Sequence, residues 1–148
     1  MKSNQNYKAE AGFTLLELLV VLVILGLLAG LVGPRLFGKA DAAKVQTAQT
    51  QIQMLKSGLL TYRLDLGKFP SEQEGLKALN SPPSDERQRK LWDGPYLGDE
   101  LPMDPWGMPY QYKPGSSQPQ GFLLFSYGAD GKRGGEGLDA DIGYLPEG

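Results

Sequence analysis

The side chains that could do chemistry in this 148-residue chain are carboxylates, hydroxyls and amines, because it contains neither cysteine nor histidine. Their absence excludes disulfides, thiolate nucleophiles, imidazole acid–base catalysis and the common zinc sites. No serine or lysine lies in a motif that would activate it as a nucleophile. The 15 basic and 17 acidic residues give a net charge of −2 with no basic cluster. The sequence therefore predicts neither an enzyme nor a nucleic-acid-binding protein.

One carboxylate, that of Glu17, interrupts an otherwise uncharged apolar segment. The segment from Phe13 to Gly33 has 21 residues, which as a helix would measure about 31 Å, the thickness of a bilayer core. A charged carboxylate inside a bilayer costs roughly 2.5–3.5 kcal/mol, so Glu17 needs a partner unless it lies near one membrane surface. Cleavage after Gly12 would give Phe13 a free amine. That amine could pair with Glu17 of the same chain or, during assembly, of a neighbouring chain.

A second group of carboxylates lies in the glycine-rich C-terminal stretch, residues 128–148. Asp130, Asp139 and Asp141 could fold around a hard cation such as calcium, with backbone carbonyl oxygens completing six or more ligands. The spacing is not that of an EF-hand, and the alternative is a solvated acidic loop. Because this stretch has few apolar residues, we expect it to need something other than a hydrophobic core to order it.

The first element that must position these groups is a long helix. Apolar or small residues recur at spacings of three and four between Val45 and Leu66, which predicts the buried face of an amphipathic helix. Joined to the apolar segment, this helix forms a stem over residues 13–66 of roughly 80 Å, with Gly67 as its stop. Between the two halves, the Gly33-Pro34 pair predicts a kink or local melting, or else a simple helix boundary.

Two short segments follow the predicted stem. Ser71 and Glu74 form a capping-box pattern that opens a short helix. The run Asn80–Lys90 is rich in charged residues and prolines, and we interpret it as an exposed loop.

The last part of the chain is broken by glycine and proline into short pieces. Residues 110–112 and 122–127 have strand composition, and Asp104 begins a predicted turn over 104–107. A small antiparallel sheet that covers the amphipathic helix is the simplest packing. The predicted fold class is α+β: a long N-terminal helix, half transmembrane and half amphipathic, on a small antiparallel sheet with a Gly/Asp-rich C-terminal loop.

The stretch GFTLLELLVVLVILGLLAGLVGPRL, preceded by a short basic leader, resembles the processing signal of the type IV pilin superfamily. In that family a prepilin peptidase cuts after the glycine, here Gly12, and methylates the new N-terminal phenylalanine, here Phe13. The resemblance implies three regions: a leader at 1–12 that is removed, a transmembrane and assembly helix at 13–34, and a periplasmic globular head at 35–148.

The motifs DLGKFPSEQEGLKAL, LPMDPWGMPYQY and SYGADGKRGGEGLDADIG are similar to those of the major pseudopilins of type II secretion. This resemblance implies a pilin-like subunit, anchored by one span in the bacterial inner membrane, that polymerises into a helical periplasmic pseudopilus and drives protein export. The implied partners are further copies of the chain, minor pseudopilins, the prepilin peptidase, the inner-membrane assembly platform with its ATPase, and the secreted proteins. In such filaments the region corresponding to Gly33 and Pro34 is locally unwound.

The resemblance also implies calcium in the acidic C-terminal loop. We expect side-chain ligands from Asp130, Asp139 and Asp141, and carbonyl ligands from Tyr127 and Leu138. Two other functions stay open at this point. They are a type IV pilus subunit, which the absence of cysteine disfavours, and a membrane-anchored calcium-binding module that does not polymerise.

Overall fold

The protein is described here from a computed structural model, which covers residues 12–115 and 119–146 and leaves the side chains of 34–37 undescribed. The chain divides into two compact units, Met1–Lys39 and Ala40–Gly148. Apart from its last residue, the predicted leader lies outside the described residues, so its removal stays a prediction.

The first element is a single α-helix, α1, of 52 residues from Leu15 to Leu66, as the sequence predicts. Gly33 and Pro34 lie within its bounds, so the interpretation of this pair as a helix boundary is wrong for the described chain. The helix ends at the predicted glycine. Gly67 adopts a φ of 75° and donates its N–H to the Arg63 carbonyl over 2.8 Å, which is the left-handed cap that glycine adopts without strain.

The remaining elements lie in the second unit and complete the predicted α+β fold. Three strands, β1 Gln111–Pro114, β2 Phe122–Ser126 and β3 Ile142–Tyr144, form one antiparallel sheet in the order β1-β2-β3. The register pairs Tyr112 with Leu124 on one side of β2, and Leu124 with Tyr144 on the other. In chain order the elements are a 3₁₀ helix Gly75–Leu79, α2 Glu86–Leu91, β1 Gln111–Pro114, β2 Phe122–Ser126, a 3₁₀ helix Gly137–Asp139 and β3 Ile142–Tyr144.

Helix α2 corrects the interpretation of Asn80–Lys90 as a loop. Asp85 caps the helix, because its carboxylate accepts the Gln88 N–H over 2.9 Å. Acidic residues at its start and basic residues at its end complement the helix dipole. The helix buries no residue, so its sequence lacks the apolar periodicity by which helices are usually recognised.

Strand β3 is a further element that the sequence did not predict. It consists of only Ile142, Gly143 and Tyr144, at the end of the acidic stretch. Its order comes from pairing with β2 and from Tyr144, whose hydroxyl accepts a hydrogen bond of 2.9 Å from Lys56 on α1. A three-residue strand of this kind depends on partners far away in the chain, and no local composition indicates it.

The core of the second unit lies between α1 and the sheet. Phe122 on β2 is fully buried and meets Phe69 and Tyr144 edge to face, at ring-centroid distances of 5.0 and 6.2 Å. The predicted stripe on α1 supplies the opposite wall and is confirmed by its buried members, Ala48, Ile52, Leu55, Leu59 and Tyr62.

The reciprocal hydrogen bonds of the predicted capping box at Ser71 and Glu74 are confirmed, but the short helix begins only at Gly75, with Glu74 and not Ser71 as its N-cap. The Ser71 N–H and hydroxyl both donate to Glu74 Oε2, over 2.8 and 2.7 Å, and the Glu74 N–H donates back to the Ser71 hydroxyl over 3.2 Å. These hydrogen bonds from Ser71 hold the pKa of Glu74 below its ordinary value. A carboxylate with a lowered folded-state pKa stabilises the fold above its unfolded pKa, and this contribution is lost as pH falls through the folded pKa.

We therefore expect Ser71→Ala to lower the free energy of unfolding by about 1 kcal/mol at pH 7, a fall in Tm of about 4–8 °C. The difference from wild type should shrink at an acid pH below the lowered pKa of Glu74, because the carboxyl group is then protonated and the Ser71 hydrogen bonds no longer favour a charged form. Thermal unfolding of the full chain in detergent at both pH values measures it, with the exposed Ser84→Ala as control. An equal loss at the two pH values would contradict the role given to the carboxylate.

The apolar helix and the C-terminal loop as candidate sites

The N-terminal part of α1 exposes an unbroken apolar surface. Its most apolar 18-residue window has a mean hydropathy of 2.9, and none of that window is buried. The large side chains from Phe13 to Val32 are all exposed. An amphipathic helix of a soluble protein buries one face, whereas this segment buries none. Its length and composition suffice to cross a bilayer. Such a surface needs lipid or another apolar helix against it.

Glu17 lies at the start of this helix and forms hydrogen bonds with Thr14, three residues before it. The Thr14 N–H and hydroxyl donate to Glu17 Oε2 over 2.8 and 3.2 Å, and the Glu17 N–H donates to the Thr14 hydroxyl over 3.2 Å. This reciprocal pair is a capping box, for which Thr14-x-x-Glu17 was the available sequence signal. The predicted amine partner on Phe13 would exist only after cleavage, since its nitrogen here belongs to the peptide bond with Gly12. Glu17 thus has a local partner in Thr14, and its pairing with the Phe13 amine stays a prediction.

The backbone of the C-terminal loop folds back on itself between Gly128 and Asp141. The Ala129 N–H donates to the Leu138 carbonyl over 2.9 Å, and the Gly134 N–H donates to Asp141 Oδ2 over 2.9 Å. Polar contacts therefore take the place of a hydrophobic core here, as the composition predicts.

The three predicted carboxylate ligands are not gathered into one cluster. Asp130 and Asp139 are exposed, and Asp130 Oδ1 accepts the Lys132 N–H over 3.0 Å. Within residues 12–115 and 119–146, no three acidic side chains lie close enough together to hold a metal ion. The side-chain ligation predicted for Asp130, Asp139 and Asp141 stays a prediction, and it would require these carboxylates to move together.

One oxygen in the loop nevertheless lacks a partner. Oδ1 of the half-buried Asp141 is inaccessible to solvent and receives no hydrogen bond from the described residues. A buried acceptor without a donor is unfavourable, and a bound cation would satisfy it.

Two carbonyl oxygens also converge near the start of the loop. Gly128 has a φ of 72°, and a Cβ built on it would lie 2.7 Å from the Ala140 oxygen and 2.8 Å from the Leu138 oxygen, so only glycine fits. Tyr127, the other predicted carbonyl ligand, precedes it and packs its ring edge to face on Phe125 at 5.1 Å. The chemistry of this donor set, carboxylate and carbonyl oxygens on a glycine-rich loop, fits calcium.

Comparison with known proteins connects both regions to one family. Residues 35–145 match the family described as type II secretion system protein G, and residues 7–33 match the prokaryotic N-terminal methylation motif. The chain is similar to the type II secretion system core protein G of Pseudomonas aeruginosa, with 47% identity over 92% of this chain and 95% of the relative. The protein of the same name from Vibrio cholerae is 45% identical over 92% of each chain.

The fold leads to the same family. The crystal structure of the major pseudopilin from the type 2 secretion system of enterohaemorrhagic Escherichia coli superposes with a TM-score of 0.58. It is 36% identical, and the match covers 74% of this chain and 93% of that one. These comparisons favour secretion over the type IV pilus alternative. With its methylation motif, unburied apolar helix and pilin-like α+β head, this chain belongs to the type II secretion system protein G family, the major pseudopilins.

Proposed function

We propose that this chain is the main structural subunit of the periplasmic pseudopilus of a type II secretion system. The observation that carries the proposal is the apolar part of α1, whose surface is entirely unburied although a folded head follows it in the same chain. Lipid covers such a surface before assembly, and neighbouring copies of the same helix cover it in a filament. Contacts that do not close on themselves generate a helical polymer from one subunit type.

The processing steps follow from the methylation motif at residues 7–33. A prepilin peptidase cuts between Gly12 and Phe13 and methylates the new amine of Phe13. The mature chain then comprises an inner-membrane helix at 13–34 and a periplasmic head at 35–148. Its further partners are minor pseudopilins, the assembly platform with its ATPase, and the secreted proteins. The chain itself acts as a structural element and not as an enzyme.

Calcium is the proposed ligand of the C-terminal loop. Asp141 would hold it through the oxygen that lacks a donor, together with the carboxylates of Asp130 and Asp139 and the carbonyl oxygens of Tyr127 and Leu138. When bound, calcium would cross-link parts of the loop that have few apolar contacts of their own. The residues themselves contribute negative charge and a glycine-rich backbone whose carbonyls can face inward.

Deletion of the gene tests the function. We expect loss of export of folded proteins into the medium with twitching motility unchanged, and full recovery upon expression of the wild-type chain in trans. Electron microscopy of cells that overexpress the chain together with the peptidase and assembly ATPase should show filaments. Loss of twitching with normal export would identify a pilus subunit instead, and absence of filaments would indicate a module that does not polymerise.

A further inference from the structure

A buried carboxyl group lies next to the C-terminal loop and belongs to none of the predicted ligands. Asp104 is only 4% exposed, and Ser126 beside it is completely buried. Oδ1 of Asp104 accepts the N–H groups of Trp106 and Met108 over 3.1 and 2.8 Å. A buried polar group of this kind is tolerated because donors surround it. These hydrogen bonds also close the turn over 104–107 that the sequence predicts, in which the Gly107 N–H donates to the Asp104 carbonyl over 2.9 Å.

Ser126 connects this buried group to the loop. Its hydroxyl donates to Asp104 Oδ2 over 2.5 Å and accepts the Gly128 N–H over 3.1 Å. Gly128 is the residue beside which the carbonyl oxygens of Leu138 and Ala140 converge. Two consecutive hydrogen bonds therefore run from the buried carboxyl group to the place where the loop presents its oxygens.

Met108 supports the same loop at a second point. A Cβ built on Gly131 would lie 2.7 Å from Met108 Sδ, so the methionine side chain lies directly against the Gly131 backbone. The backbone of Met108 is held in turn by the hydrogen bond from its N–H to Asp104 Oδ1. The turn thus supports the loop on both sides of Asp130, through Gly128 and through Gly131.

From these contacts we infer that Asp104 and Ser126 are positioning residues for calcium binding by the C-terminal loop. They hold the Gly128 backbone in the position where the Leu138 and Ala140 carbonyls face it. The loop backbone is therefore preorganised for calcium before the ion binds. The identity of the ligand, calcium, rests on the site proposed above. The order that these residues impose on the loop exists without the ion, and it can be measured separately.

Trypsin cleavage measures the order of the loop, because Lys132 and Arg133 are exposed within it. With calcium chelated, we expect Ser126→Ala and Asp104→Asn to accelerate cleavage at this point about tenfold, since each leaves a buried group without its partner. The full chain in detergent is used, and rates are normalised to cleavage of a peptide substrate in the same buffer. Titration with calcium should show about tenfold weaker binding by both variants.

Ser71→Ala is the matched control. It also removes a serine hydroxyl that donates to a carboxylate, but at the capping box and not beside the loop. Equal acceleration in this variant would mean that general destabilisation explains the effect, and would overturn the inference. Met108→Ala, at a half-exposed residue, tests the second contact should Ser126→Ala fail to fold, and we expect faster cleavage in the loop there too.

The two proposals fail in different ways. If the wild-type chain binds no calcium but Ser126→Ala still accelerates cleavage selectively in the loop, the proposed calcium site is wrong, and the two residues order the loop for another purpose. If the wild-type chain binds calcium and Ser126→Ala and Asp104→Asn bind it equally well, the positioning role is wrong and the calcium site stands.

Discussion

We expect Glu17→Ala to abolish filament assembly while the subunit still inserts into the membrane, which is the largest effect that we expect from any single substitution. Removal of one partner of a buried ion pair typically destabilises the structure that contains it by about 3–5 kcal/mol. In the filament this corresponds to at least a 100-fold drop in subunit incorporation. The motivation is the position of this single carboxylate, four residues from the amine that cleavage after Gly12 would create. Electron microscopy measures assembly as the number of filaments. The amount of subunit in the membrane fraction measures insertion.

The capping box makes a sharper control possible. Glu17→Gln keeps a side-chain oxygen for the helix cap but removes the charge, whereas Thr14→Ala removes the capping hydroxyl and keeps the charge. Pairing with a neighbour's amine predicts that Glu17→Gln fails to assemble and Thr14→Ala assembles. Normal filaments from Glu17→Gln would show that the carboxylate serves only to begin its own helix.

We expect the second large effect from removal of the proposed calcium ion, as a fall in the melting temperature of the head. At a free calcium concentration 100 times the Kd, binding stabilises the folded state by about 2.7 kcal/mol, which corresponds to roughly 10–20 °C in Tm. The loop should respond because polar contacts with little apolar packing hold it, and because Asp141 Oδ1 is buried without a hydrogen-bond donor among the described residues. Thermal unfolding of the full chain in detergent, with calcium or with EDTA, measures the difference.

Two substitutions localise this effect. Asp141→Asn keeps the shape of the side chain but removes its charge, so the difference between calcium and EDTA should shrink to a few degrees. Asp99→Asn changes an exposed carboxylate outside the loop and should keep the full difference. An unchanged melting curve of the wild-type chain in EDTA would remove the site, and a similar loss in both variants would place the ion elsewhere.

Helical features were the most predictable part of this fold. The spacing of Ala48, Ile52 and Leu55 predicts the buried face of α1, and Gly67 predicts its end, because both depend on residues within one or two turns. The two Ser/Thr-x-x-Glu patterns are equally local. The pattern at Thr14 and Glu17 also begins a helix, although Glu17 was interpreted only through the cost of its charge in lipid.

Contacts between distant parts of the chain were predicted less well. Strand β3 has three residues, and it is ordered by β2 and by a hydrogen bond between Tyr144 and Lys56, 88 positions apart.

Helix α2 was interpreted as a loop because it buries nothing and its cap, Asp85, looks like any acidic residue in an exposed stretch.

The sequence by itself therefore determined the apolar helix, its lone carboxylate, the α+β class and the acidic composition of the loop, because each depends on composition or on spacing along a continuous segment. Tertiary structure alone decided how the loop is held. The hydrogen bond between Ser126 and Asp104 joins residues 22 positions apart, and Asp141 Oδ1, which has no donor among the described residues, is buried only in the folded chain. Burial and hydrogen-bond satisfaction depend on which atoms the fold brings together, and no local pattern in the chain specifies them.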